Sequence, residues 1–113
     1  MKIEGLRVAT EAKARELLAA GYQMEIRCIT SATQSRNGTW NGLWKIDVVG
    51  EDGLDRLVVV THRQARSAVN DVVPREFKTL NGLVSFMFGM GVDINVLPLK
   101  EGKVAANSLR EHR

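Results

Sequence analysis

The stretch TQSRNGTWNGLWK, residues 33–45, holds both tryptophans of the chain, an arginine and two glycine-containing turn signals. An exposed indole beside a cation can stack on a nucleobase while the cation meets a phosphate. In a hairpin the same residues can instead send tryptophan into a core. The two rings share a parity and are separated by their place along the strand. Trp44 shares a strand face with Ile46 and Val48 and is expected in the core. Trp40 stands four residues back, beside Asn41 and Gly42, where the strand leaves the core. It is the expected stacking ring, with Arg36 as a loop contact.

Other cations extend this candidate surface. Arg27, Lys45 and Arg56 fall on the solvent-facing parity of three strands, Arg63 and Arg66 follow the last of them, and Arg75 and Lys78 precede a helix. Arg27, Arg36, Trp40, Lys45, Arg56, Arg63 and Arg66 are the residues expected to contact nucleic acid. Glu25, Asp47 and Asp55 share the same general surface, and a mixed solvated face is the plain alternative.

Catalytic residues are scarce. His62 borders Arg63 and Arg66 at a strand end, and His112 lies near the chain end. No carboxylate pair or serine elbow accompanies His62, so a surface histidine is expected rather than a general base. One cysteine and two distant histidines do not make a usual zinc site, and no metal or cofactor is expected. NGTWNG and GMGVDI match neither a phosphate loop nor a dinucleotide fingerprint. The expectation is a protein that is not an enzyme.

The chain has 113 residues, enough for one domain with its own core. The single Cys28 cannot form an internal disulfide, which points to a reducing cytoplasm and a packed thiol. No apolar run approaches membrane-spanning length, and no charged-then-apolar signal opens the chain. The isoelectric point near 9.4 suggests an anionic partner. Residues 100–113, however, hold Lys100, Lys103, Arg110 and Arg113 against Glu101 and Glu111, leaving residues 1–99 with a net charge of only +1. A domain over 1–99 and a basic, disordered tail over 100–113 are expected.

The elements that must position these residues read as α+β. KIEGLRV is a short strand, and Thr10 caps a helix over EAKARELLAA. Alternation then marks strands in YQMEIRCITSA, WNGLWKIDVVG and LDRLVVVTH, joined by short turns into an antiparallel meander. Residues 63–74 admit either a helical turn with a loop or a mobile arm. REFK is a brief strand, Thr79 caps a helix over LNGLVSFMFGM, and VDINVLPL is a last strand. The two strand–Thr–helix–Gly–strand runs suggest two βα units flanking the meander, with the helices on one face of the sheet.

The second helix is apolar nearly all round, which means burial on several sides. It is either the central core helix or a helix that also packs on a second copy, and Leu83, Val84, Phe86, Met87 and Met90 are the expected homodimer interface.

VVTHR followed by REFKTLNGLVSFMFGMGVDINV resembles small accessory proteins encoded beside partition and replication genes on bacterial plasmids and mobile elements. There, too, a strand, an R-x-F-K-T-L segment and an apolar helix ending in glycine occur together. The resemblance covers about a third of the chain. It implies DNA maintenance, with DNA or a partition or replication protein as partner, and carries no catalytic residues. The overall plan is also similar to Whirly-type single-strand-binding folds, at the level of architecture alone. The expected function is a DNA-associated accessory protein. The alternative is a protein-interaction module or inhibitor that uses the second helix or a sheet edge.

Overall fold

Two threonines start the helices. In the computed structural model, which describes the backbone of residues 7–64 and 70–109 and the side chains of 7–61 and 73–109, the Thr10 hydroxyl accepts from the Lys13 N–H at 3.2 Å. That cap opens α1, Glu11–Ala19, which buries Ala14 and Leu18. The Thr79 hydroxyl likewise accepts from the Gly82 N–H at 3.1 Å and opens α2, Leu80–Gly89.

The remaining elements are β1 (Val8–Ala9), β2 (Gln23–Gln34), β3 (Trp40–Val49), β4 (Arg56–Gln64), β5 (Asn70–Pro74), β6 (Glu76–Thr79) and β7 (Val104–Asn107). They form a mixed, sheet-dominated α+β fold with a curled sheet of seven strands among the described residues. β2 pairs antiparallel with β3 from Gln23↔Val49 to Gln34↔Trp40, and β1 runs parallel to β4. β3 also pairs antiparallel with β4, but only through Asp47–Val49 and Arg56–Val58. Beyond that point the two strands part. β4 continues against β5, from Val60↔Pro74 to Gln64↔Asn70, while β3 continues against β6. Only Arg75 separates β5 from β6, and its N–H donates to the Val59 carbonyl at 2.8 Å. One length of chain therefore closes the fork between two diverging strands.

The inner face carries the expected alternation. Met24, Ile26 and Cys28 of β2 and Trp44, Ile46 and Val48 of β3 join Ala14 and Leu18 of α1 and Leu83 and Met87 of α2 in one core cluster. The Trp44 indole N–H donates to the Pro98 carbonyl at 2.8 Å, so this buried ring keeps its hydrogen bond. Its bulk constrains the neighbouring backbone. A Cβ on Gly42 would lie 2.8 Å from the ring and 2.9 Å from the Thr30 carbonyl oxygen. The β2–β3 register shifts at the same level, between Cys28 and Thr33.

Several expectations need correction. Residues 92–99 are irregular rather than a strand, apart from a bridge between Val92 and Leu109. The strand at this end is β7, which lies inside the expected tail and pairs with β2 from Met24↔Asn107 to Arg27↔Val104. Asn107, only 2% exposed, explains the exchange. Its side-chain oxygen accepts from the N–H groups of Asn95 (2.8 Å) and Val96 (3.1 Å), and its amide donates to the Val96 carbonyl at 2.9 Å. One buried side chain thus satisfies backbone that a sheet ladder would otherwise serve. Of residues 63–74 the described ones are strand, with β4 running through Gln64 and β5 covering 70–74, and the expected turn or arm at 65–69 lies outside the described residues. Of the first expected strand only Val8–Ala9 is seen, residues 1–6 lying outside the described range.

Replacing Asn107 by Leu keeps the branched side-chain shape but strands three backbone groups. The Asn107→Leu variant is expected to lose about 2–3 kcal/mol in urea unfolding, with an unchanged denaturant slope.

Candidate functional site

The fold brings Arg27, Lys45 and Arg56 together. With Asp47, Val58 and Pro74 they line a concavity of about 330 Å³ on the sheet face, at the fork between β3, β4 and β5. The cations are nevertheless already engaged. Arg56 donates to Glu25 and, at 2.9 Å, to Asp47. Arg27 lies 3.7 Å from Glu25 and 3.6 Å from Asp47, and Lys45 lies 3.4 Å from Glu76.

The register explains this pairing. Glu25 stands opposite Asp47, and Arg27 opposite Lys45, on adjoining rungs of β2 and β3. The two carboxylates are the more buried partners, with the arginines folded over them. Hydrogen bonds to Glu25, then to Asp47, hold the Arg56 guanidinium further above its already high pKa, against the effect of burial. Arg27, Lys45 and Arg56 are matched by Glu25, Asp47 and Glu76, so the patch carries no net charge. Asp55, expected on this surface, instead pairs with the Tyr22 hydroxyl and Arg7.

The other predicted contacts sit elsewhere. The β2–β3 turn is held by its own side chains: the Asn37 side-chain oxygen accepts from the Ser35 hydroxyl (2.6 Å) and from the Thr39 N–H (3.0 Å), and Gly38 takes a φ of +89°. Arg36 is exposed in this turn. Trp40, at the start of β3, is 41% exposed. Its ring lines a mostly apolar groove of about 560 Å³ with Gly38 and Thr39 of the turn and Thr79, Leu80, Asn81 and Val84 at the start of α2. The groove therefore lies on the helix side of the sheet, away from the arginine patch. Among the described residues neither Arg36 nor Lys78, which immediately precedes Thr79, has a carboxylate partner.

Arg63 stands on β4 opposite Asp71. Its side chain, that of His62, and the whole of Arg66 lie outside the described residues. Cys28 is buried, its thiol donates to the Thr30 carbonyl at 3.2 Å, and burial, aided by Glu101, pushes its pKa up, away from thiolate chemistry.

The expected dimer interface is also corrected in part. Leu83, Met87 and Met90 are buried in this chain's own core, so a second copy cannot reach them. Val84 forms part of the groove wall. Phe86 packs beside Phe77, ring centroids 5.1 Å apart, and the Arg75 guanidinium lies over both rings at 4.9 and 5.3 Å. The exposed aromatic of α2 is Phe88, at 64%. Sequence reasoning missed Glu76 as the partner of Lys45 and Leu80 and Val84 as walls facing Trp40. Pairings between strands distant in sequence leave no local signal.

Among the described residues no group of three His, Cys, Asp or Glu side chains could hold a metal ion, and no helix is long and apolar enough to cross a membrane. The chain matches no protein-family model, and no curated protein or solved structure is significantly similar to it.

The contrast between the tryptophans gives a direct check. Trp40→Phe is expected to remove the emission quenched by acrylamide, leaving the shielded, blue-shifted emission of Trp44. Equal quenching before and after the change would place both rings in similar surroundings.

Proposed function

We propose that the chain is a non-enzymatic, DNA-associated accessory protein of the plasmid maintenance and partition kind, working in a bacterial cytoplasm. It holds nucleic acid at the groove around Trp40 rather than across the sheet face. The observation that carries this reading is the contrast between the two ends of the predicted surface. Trp40 is open to solvent, with Arg36 four residues before it in the chain and without a carboxylate partner among the described residues. Arg27, Lys45 and Arg56 are neutralised by carboxylates of their own sheet. A phosphate approaching the sheet face would have to compete with Glu25 and Asp47, which are tethered and partly desolvated, whereas at the hairpin no carboxylate among the described residues pairs with Arg36. The groove wall Thr79–Val84 also lies within the segment that resembles plasmid accessory proteins.

A second reading is favoured by the apolar lining of the same groove and by exposed Phe88 on the same helix: a protein-interaction module receiving an apolar side chain of its partner, or of a second copy.

Salt dependence tests the first reading and the location together. Binding of a single-stranded oligonucleotide should fall with a log–log slope of about −0.7 when only Arg36 meets a phosphate. The slope should be about −4 if Arg27, Lys45, Arg56, Arg63 and Arg66 join Arg36 in doing so. A shallow slope supports the hairpin site, and a steep one returns the contact to the sheet. No binding up to about 100 μM protein at low salt would remove nucleic acid from the account and leave the interaction module.

A further inference from the structure

We infer that the Trp40 groove receives an unstacked nucleobase, so that the chain prefers single-stranded over duplex nucleic acid. This rests on the nucleic-acid reading above and specifies which form of the ligand the site takes. A duplex offers phosphates and base edges, because both faces of every internal base are covered by its neighbours. A site that works through phosphates needs free cations spread along a surface, and Arg27, Lys45 and Arg56 of the sheet face are paired with Glu25, Asp47 and Glu76.

What the chain offers instead is one indole in a groove that it lines together with Leu80 and Val84. Its volume, about 560 Å³, is within the roughly 300–1,000 Å³ range of small-molecule clefts, and it is open to solvent on one side. Apolar walls around an aromatic ring suit the face of a base, and only an unpaired, splayed base presents that face. The rim adds a polar group of the right kind. Asn81 is exposed, and among the described residues its amide makes no hydrogen bond, so it can pair with a base edge. Arg36, exposed in the same turn as the groove residues Gly38 and Thr39 and without a carboxylate partner among the described residues, suits a phosphate beside the bound base.

Fluorescence anisotropy of the full chain with a labelled single strand, and with a duplex of the same sequence, tests this. The expected result is single-strand binding at least about tenfold tighter than duplex binding. Trp40→Leu should erase that preference, and Trp40→Phe should keep most of it. Far-UV circular dichroism confirms that both variants fold, since the ring is exposed. Equal affinity for duplex and single strand, or a Trp40→Leu variant that binds single strand as tightly as wild type, would overturn the inference and leave the nucleic-acid reading standing. Absence of binding to either form would overturn both.

Discussion

One edge of β3 is shared between two partners, and much of the molecule follows from that division. β3 pairs with β2 along its whole length, so its other edge must serve β4 near Asp47–Val49 and β6 near Asn41–Lys45. The strand that fills the fork turns at Arg75, whose guanidinium lies over Phe77 and Phe86. β6 then runs straight into the Thr79 cap, so α2 begins beside Asn41, the residue after Trp40. The groove at one end of the sheet and the concavity at the fork are thus two outcomes of a single pairing constraint. Had β4 followed β3 throughout, α2 would not open against the hairpin.

Charge illustrates how composition and surface diverge. A basic isoelectric point invites a basic face, yet the strands set Glu25 opposite Asp47 and both beneath Arg27 and Arg56. Such half-exposed pairs contribute little to stability, commonly under about 1 kcal/mol each. Their larger effect is on recognition, since a cation already matched by a fixed carboxylate attracts an outside anion only weakly.

The parts legible in the sequence were those set by neighbours along the chain. Thr10 and Thr79 marked the helix starts because capping is local, and the alternation of Met24, Ile26 and Cys28 with polar residues marked β2 because the pleat has a period of two. Trp40 shares the parity of Trp44, and its place four residues back beside Asn41 and Gly42 set it apart. Non-local arrangements were hidden. VDINVLPL alternates like a strand, but its backbone is claimed by the Asn107 side chain, while VAAN, too small and polar to look like a strand, takes the sheet edge. The all-round apolar pattern of α2 likewise could not say how much cover one chain supplies. The core cluster, with Phe77 of β6 and Trp44 and Ile46 of β3, buries Leu83, Met87 and Met90 without a second copy.

The central claim is that contact belongs to the hairpin–helix groove and not to the charge-paired sheet. Amide and indole shift mapping by ¹H–¹⁵N NMR, during titration with a short single-stranded oligonucleotide, tests it most directly. The account predicts that the largest changes fall on the Trp40 indole, on Gly38 and Thr39, and on Leu80–Val84, with the Trp44 indole unmoved. Changes centred on Arg27, Lys45 and Arg56, with Trp40 unaffected, would contradict it.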